Sequence, residues 1–255
     1  MTTVKEIDKY LTEISPKELS ESWDNDGVML CSSPEKKVRK VLVTLDATLD
    51  AINYAVEKGF DLVVTHHPFI FKKLSRITGF DYKKIELLVK NDLPVLSYHT
   101  RLDSAEGGVN DALAEAIGLS DVTGFGGDRG DFGRVGKLRK EMSGEEFALY
   151  LKEKLGCDIR CTFPEGKKIK TAAVLGGAGK DFVFEAVGAG ADAYVTSEIS
   201  HNFFIDAKAI GFALYDCGHY YTENPVCEKI KTLLEEKFSD IEVEIFDTKS
   251  PYVTY

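Results

Sequence analysis

No stretch of this chain reaches the ~20 consecutive apolar residues that a membrane helix needs. An apolar leader core is also missing at the start. From Lys5 onward, charges interleave with Val4, Ile7, Leu11 and Ile14 at helical spacing, so the segment reads as an amphipathic first helix. By elimination, the expected location is cytoplasmic. The five cysteines (Cys31, Cys157, Cys161, Cys217 and Cys227) are odd in number and form no C-x-x-C pair. They read as free thiols of a reducing compartment rather than a disulfide framework. Cys157 and Cys161 also lack the neighbouring Cys or His that a structural zinc site requires. Basic residues are the minority, 32 Lys and Arg against 42 Asp and Glu, for a net charge of -10. A chain so charged repels a polyanion before it can bind one, so composition does not favour a nucleic-acid partner. A P-loop is absent too. Leu175-Gly-Gly-Ala-Gly-Lys180 has Val174 in place of the first glycine and Asp181 in place of the Ser or Thr. It reads as a tight strand-to-helix turn, with a phosphate cradle as the competing reading.

What remains is an ordinary globular composition, 255 residues of which 44% are hydrophobic, enough for one large core or two modest ones. Val41–Leu45, Leu62–Thr65, Val95–Tyr98 and Phe212–Asp216 read as strands. Residues 50–58, 82–90, 145–155 and 226–238 read as helices, and Ile241–Phe246 alternates like an edge strand. Strand, helix, strand in this rhythm predicts parallel pairing in an α/β fold.

The chain also resembles itself. Val41–Thr65 and Ala172–Thr196 align without gaps, placing Gly59 on Gly190, Asp61 on Asp192 and Thr65 on Thr196. The expected fold is therefore α/β, two related lobes with a pseudo-twofold internal repeat. Glycines crowd Gly124–Gly136, which sets the expected boundary. Residues 1–125 would form the first lobe, with His66, His67 and Asp103. Residues 126–255 would form the second, with His219 and Glu223, and the C-terminal segment would pack back on the first lobe.

Histidine is scarce, and its placement is informative. Ligands of open α/β sheets bind past the carboxyl ends of the strands, and all five histidines lie there. His66-His67-Pro68 follows one predicted strand and His99-Thr-Arg-Leu-Asp103 another. Ser197-Glu198-Ile-Ser-His201 and Gly218-His219-Tyr-Tyr-Thr-Glu223 follow two more. Imidazole and carboxylate oxygen are ligands for zinc, iron and manganese. Adjacent histidines in extended chain point to opposite sides, so His66 and His67 straddle two ions or, if the chain turns, converge on one. His219 and Glu223 share a face if their segment is helical. The competing readings are a plain turn at His-His-Pro, a His99 that hydrogen-bonds the backbone or orients Asp103, a solvated charge at Glu223, and a surface pair of Glu198 with His201. Trp23, the only tryptophan, sits in a polar turn, Trp23-Asp-Asn-Asp-Gly27. It is either a packing anchor or the wall of a site.

Trp23-Asp-Asn-Asp-Gly27, Thr65-His-His-Pro68, His99-Thr-Arg-Leu-Asp103, Gly107-Gly-Val-Asn-Asp111, Gly133-Arg-Val-Gly136, Gly176-Gly-Ala-Gly179 and Gly218-His-Tyr-Tyr-Thr-Glu223 occur in that order. Together they closely resemble the Nif-three-like family of conserved dinuclear metal-centre proteins, whose members are also named GTP cyclohydrolase 1 type 2 homologues. The resemblance runs from the first helix to the last. It implies two divalent metal ions per subunit, of zinc, iron or manganese, held by His66, His67, Asp103, His219 and Glu223. It also implies a homohexamer built as a trimer of dimers. Arg101 stands where the family commonly has Asn, and Glu198 where it commonly has Asp. The implied function is a metal-dependent hydrolase that opens the guanine ring of GTP with metal-activated water. Glu198 or His201 would shuttle protons, and Arg101, Lys180 or the glycine turn would hold the triphosphate. The alternative is a non-catalytic metal-binding ring or scaffold for protein or nucleic-acid partners.

Overall fold

The computed structural model describes residues 1–254. Contacts divide the described residues into two units, Met1–Glu106 with Val226–Pro251, and Gly107–Pro225 with residues 252–254.

The first unit opens with α1 (Val4–Ile14), started by a capping box in which Thr3 and Glu6 satisfy each other's backbone N–H. Its Val4, Ile7 and Leu11 are buried. Then come β1 (Gly27–Leu30), β2 (Lys40–Thr44), α2 (Leu49–Glu57), β3 (Leu62–Thr65), α3 (Gly79–Lys90), β4 (Val95–Ser97) and α4 (Thr100–Ser104). The second unit holds α5 (Val109–Ala116), β5 (Ser120–Phe125), β6 (Gly133–Ser143), α6 (Gly144–Leu155), β7 (Arg160–Thr162) and β8 (Lys168–Val174). It continues through α7 (Val183–Gly188), β9 (Ala193–Thr196), α8 (His201–Ala209), β10 (Ala213–Asp216) and α9 (His219–Glu223). α10 (Pro225–Lys237) then leads back, and β11 (Glu242–Ile245) pairs in parallel with β2 at the edge of the first unit's sheet.

The two sheets repeat one plan. Their orders are β1-β4-β3-β2-β11 and β7-β10-β9-β8-β6-β5. In each, three parallel strands (β2, β3, β4 or β8, β9, β10) carry an antiparallel strand on the last of them. The repeat extends to single hydrogen bonds. Asp61 Oδ2 accepts the backbone N–H groups of Arg39 and Lys40 at 2.8 and 3.0 Å. Asp192 Oδ2 accepts those of Lys170 and Thr171 at 3.1 and 3.0 Å. Gly59 and Gly190 each take positive φ where the helix must end and turn into the next strand.

The parallel strands are apolar because both their faces are covered. In the second unit Ala172, Val174, Ala193, Val195, Ala213 and Tyr215 pack on one side with Phe147 and Leu151. Ala173, Tyr194 and Leu214 pack on the other with Val183 and Ala186.

The boundary differs from the one expected. It falls at Gly107, not after residue 125, because the glycine-rich stretch is a hairpin inside one sheet. Phe125 faces Gly133 across β5 and β6, and a Cβ at Gly133 would stand 2.4 Å from the Phe125 ring. Here the glycines allow close approach of strand and ring, which looks like a linker in composition alone.

Candidate functional site

In the first unit, β3 and β4 end level with each other, Thr65 beside Ser97. The segments that leave them therefore start side by side. His66 is fully buried and His67 half-buried, and they meet His99 with ring centroids 5.0, 5.3 and 5.7 Å apart. One nitrogen from each of the three lies within 4.8 Å of the others. One turn past His99, Asp103 brings its Oδ1 to 3.7 Å from Nε2 of His66.

The far nitrogen of each ring is tied. His66 Nδ1 is 2.9 Å from the Tyr98 carbonyl oxygen, His67 Nδ1 is 2.8 Å from Asp46 Oδ1, and His99 Nδ1 is 2.9 Å from Asp24 Oδ1. A carbonyl oxygen only accepts, so His66 carries a proton on Nδ1, which in the neutral ring leaves the lone pair on Nε2. The carboxylates favour the same tautomer at His67 and His99. Burial pushes the Asp24 carboxyl up, but hydrogen bonds from His99 and Thr100 outweigh it and hold the group well below the usual carboxylate range.

The second unit repeats the arrangement. β9 and β10 also end level, Thr196 beside Asp216. Gly218, at φ +78°, turns the chain into α9, and one helical turn sets His219 Nε2 2.8 Å from Glu223 Oε2. His219 Nδ1 is held by Glu198 Oε1 at 2.7 Å. The glycine turn after β8 is shaped around this pair. A Cβ on Gly177, at φ +66°, would stand 2.1 Å from Glu223 Oε1 and 3.2 Å from His219 Nε2, and the Gly177 N–H donates to Thr222 Oγ1 at 3.0 Å.

These donors fit a divalent ion. Two ligand atoms about 2.0–2.1 Å from one tetrahedral ion lie roughly 3.3 Å apart, between the 2.8 Å of His219–Glu223 and the 3.7 Å of His66–Asp103. Histidine ligands characteristically give their other N–H to a carboxylate or carbonyl oxygen, which fixes the ring and raises its basicity. His66, His67, His99 and His219 all have that partner.

Arg101 departs from the role expected of it. It is 2% exposed, lies over the Tyr98 ring at 4.4 Å and pairs with Asp26 at 3.3 Å, so its charge is used inside the unit. Lys180 stands beside Asp181, and His201 opens α8 as an exposed residue. Glu198 orients His219. Sequence reasoning missed Asp46 and left Asp24 without a role. The rule that found the histidines would have found Asp46, since it follows β2, which ends level with β3.

Comparisons with known proteins show the family. Residues 2–251 match the Duf34/NIF3 (NGG1p interacting factor 3) family. The chain belongs to that family. A protein of Clostridium perfringens named GTP cyclohydrolase 1 type 2 homolog is 35% identical over 98% of both chains. A Methanocaldococcus jannaschii protein of the same name is 33% identical over 94% of this chain and 97% of its own. Among solved structures, a hypothetical protein of Staphylococcus aureus superposes with a TM-score of 0.90 at 28% identity, covering 99% of both chains. Reduced HcgD from Methanocaldococcus jannaschii gives 0.84 at 31% identity over 98% of both. Among the described residues, no helix of this NIF3-family chain is long and apolar enough to cross a membrane.

Proposed function

We propose that the chain is a dinuclear metal-dependent hydrolase acting on a purine nucleotide by opening its ring. His66, His67, Asp103, His219 and Glu223 would hold two divalent ions of zinc, iron or manganese. The observation that carries this reading is the tautomer control: four histidines at strand ends, each with Nδ1 held by an oxygen. Histidines placed only for packing have no need of so uniform an arrangement.

Divalent ions, when bound, lower the pKa of water and polarise the bond under attack. The protein's own contribution is positional. Asp46 and Glu198 hold the rings of His67 and His219 at fixed angles, and the Gly177 turn leaves room for the Glu223 carboxylate. His201, exposed at the start of α8, is the proton carrier in this proposal. The choice of a purine nucleotide rests on the name that the relatives carry. A homohexamer built as a trimer of dimers is the assembly that goes with it, and light scattering tests that part separately.

The deciding experiment incubates metal-loaded protein with GTP. Release of formate with a change in ultraviolet absorbance is expected, and Glu223→Ala should abolish both. Neither signal from wild-type protein carrying about two ions per chain would overturn the hydrolase and leave a metal-binding scaffold.

A further inference from the structure

The only tryptophan in the chain is 60% exposed, yet the turn that carries it is firmly held. Next to Trp23, Asp24 accepts hydrogen bonds from His99 and from both the backbone N–H and the hydroxyl of Thr100. Asn25 donates through its amide to the Ile70 carbonyl. The indole ring stands 6.1 Å from the His99 ring and 6.0 Å from Phe71, whose own ring is 5.9 Å from His99. Phe71 is 47% exposed. An anchored, solvent-facing pair of aromatic rings thus flanks the three-histidine cluster. Packing does not require it, and water disfavours it.

Phe71 begins a loop of unusual charge. Between His67 and Asp81 the chain carries Lys72, Lys73 and Arg76 and no acidic residue, in a protein of net charge -10. All three cations are exposed. The segment therefore offers two chemistries side by side: flat aromatic rings and a cluster of positive charge. Aromatic rings stack on heterocyclic bases whatever the base, and Lys and Arg take phosphate oxygens.

We infer that Trp23 and Phe71 form a stacking platform for the base of a nucleoside triphosphate, and that Lys72, Lys73 and Arg76 bind its phosphate chain. The inference deepens the proposed function and rests on it for the choice of a nucleotide. It gives that site a substrate-holding surface that buried Arg101 cannot supply. Because stacking is indifferent to base identity, the platform provides affinity and leaves the choice of guanine to other groups. ATP should therefore bind about as well as GTP.

Excited selectively, Trp23 reports its own occupancy. GTP, ATP and guanosine are titrated against the full-length protein of measured metal content, with inorganic tripolyphosphate as a competitor. All three ligands should quench Trp23, and tripolyphosphate should displace GTP but not guanosine. The variant carrying Lys72→Ala, Lys73→Ala and Arg76→Ala should lose GTP affinity by about tenfold or more and keep its guanosine affinity. Phe71→Ala should weaken guanosine by about fivefold or more. Circular dichroism of the variants checks that they fold. Absence of quenching by any nucleotide overturns the platform, as does unchanged GTP affinity in the triple variant. So does a Trp23→Ser variant that dissociates in light scattering while nucleotides leave wild-type emission untouched, since a second copy of the chain would then cover the ring. Quenching by GTP without formate release would sustain the platform and count against the cyclohydrolase reading alone. Formate release with no effect of the triple variant would do the reverse.

Discussion

Glu198 holds Nδ1 of His219 at 2.7 Å from a backbone turned to φ +54°. A left-handed conformation costs a non-glycine residue about 1–2 kcal/mol, so the hydrogen bond is made at the expense of local stability. Glu198→Gly should separate the two effects. Metal-free protein should become more stable by up to about 1 kcal/mol in urea unfolding, while metal affinity falls about 10–100-fold in chelator competition. Glu198→Ala should lose the affinity without gaining the stability. A glycine variant that binds metal like the wild type would remove Glu198 from the site.

Gly177→Ala tests the opposite constraint. The new methyl would stand 2.1 Å from Glu223 Oε1 on a backbone at φ +66°, so both the turn and the carboxylate must shift. A loss of about 1–3 kcal/mol is expected, together with lower metal content by elemental analysis. Gly156, also at positive φ but with open space around its Cβ position, is the control. Gly156→Ala should destabilise the protein while leaving metal content unchanged.

Asp61 and Asp192 each accept two successive backbone N–H groups of the strand beside them. Alanine at either position should destabilise the protein by about 1–3 kcal/mol, because two donors lose a charged acceptor. The two losses should be of similar size, since the hydrogen bonds correspond. Chemical denaturation of the single variants measures this, and a neutral effect at one position would mean that the matching contacts are not matching in energy.

Near the N-terminus, Asp240 accepts from the backbone N–H of Thr2 at 2.8 Å and from its hydroxyl at 2.5 Å. These bonds and the neighbouring amino terminus lower its pKa to about 2 from 3.8. A carboxylate lowered on folding stabilises the native state above its unfolded pKa and stops doing so as pH falls through the folded one. The contribution should therefore be complete above about pH 4 and disappear toward pH 2. Asp240→Asn should flatten that part of the stability profile and leave the neutral-pH slope unchanged.

Much of this fold could be read from the sequence, for an identifiable reason. β2, β3, β8 and β9 are buried on both faces, so they appear as short apolar runs, and Gly59 with Asp61 recurs as Gly190 with Asp192 because the same turn is made twice. β1 and β7 were missed because edge strands of four and three residues have too little burial to impose a pattern. β5 is mostly exposed and polar, so the hairpin it forms with β6 resembled a linker. Within the site, strand-end histidines announce themselves by rarity, whereas Asp46 is one acid among many. Arg101 shows the remaining limit. A cation in a ligand motif looks available until its partner is known, and Asp26, which takes it up, lies on a different segment of the chain.

β11 completes the first unit's sheet from the far end of the chain, so this sheet needs residues made after every strand of the other sheet. A ribosome finishes the second unit's main segment, Gly107–Pro225, while the first still lacks α10 and its edge strand. The open side of β2 waits, unpaired, until residue 245 has been made. Domains generally fold as units once their sequence has emerged. Here the sheet that begins first is completed last.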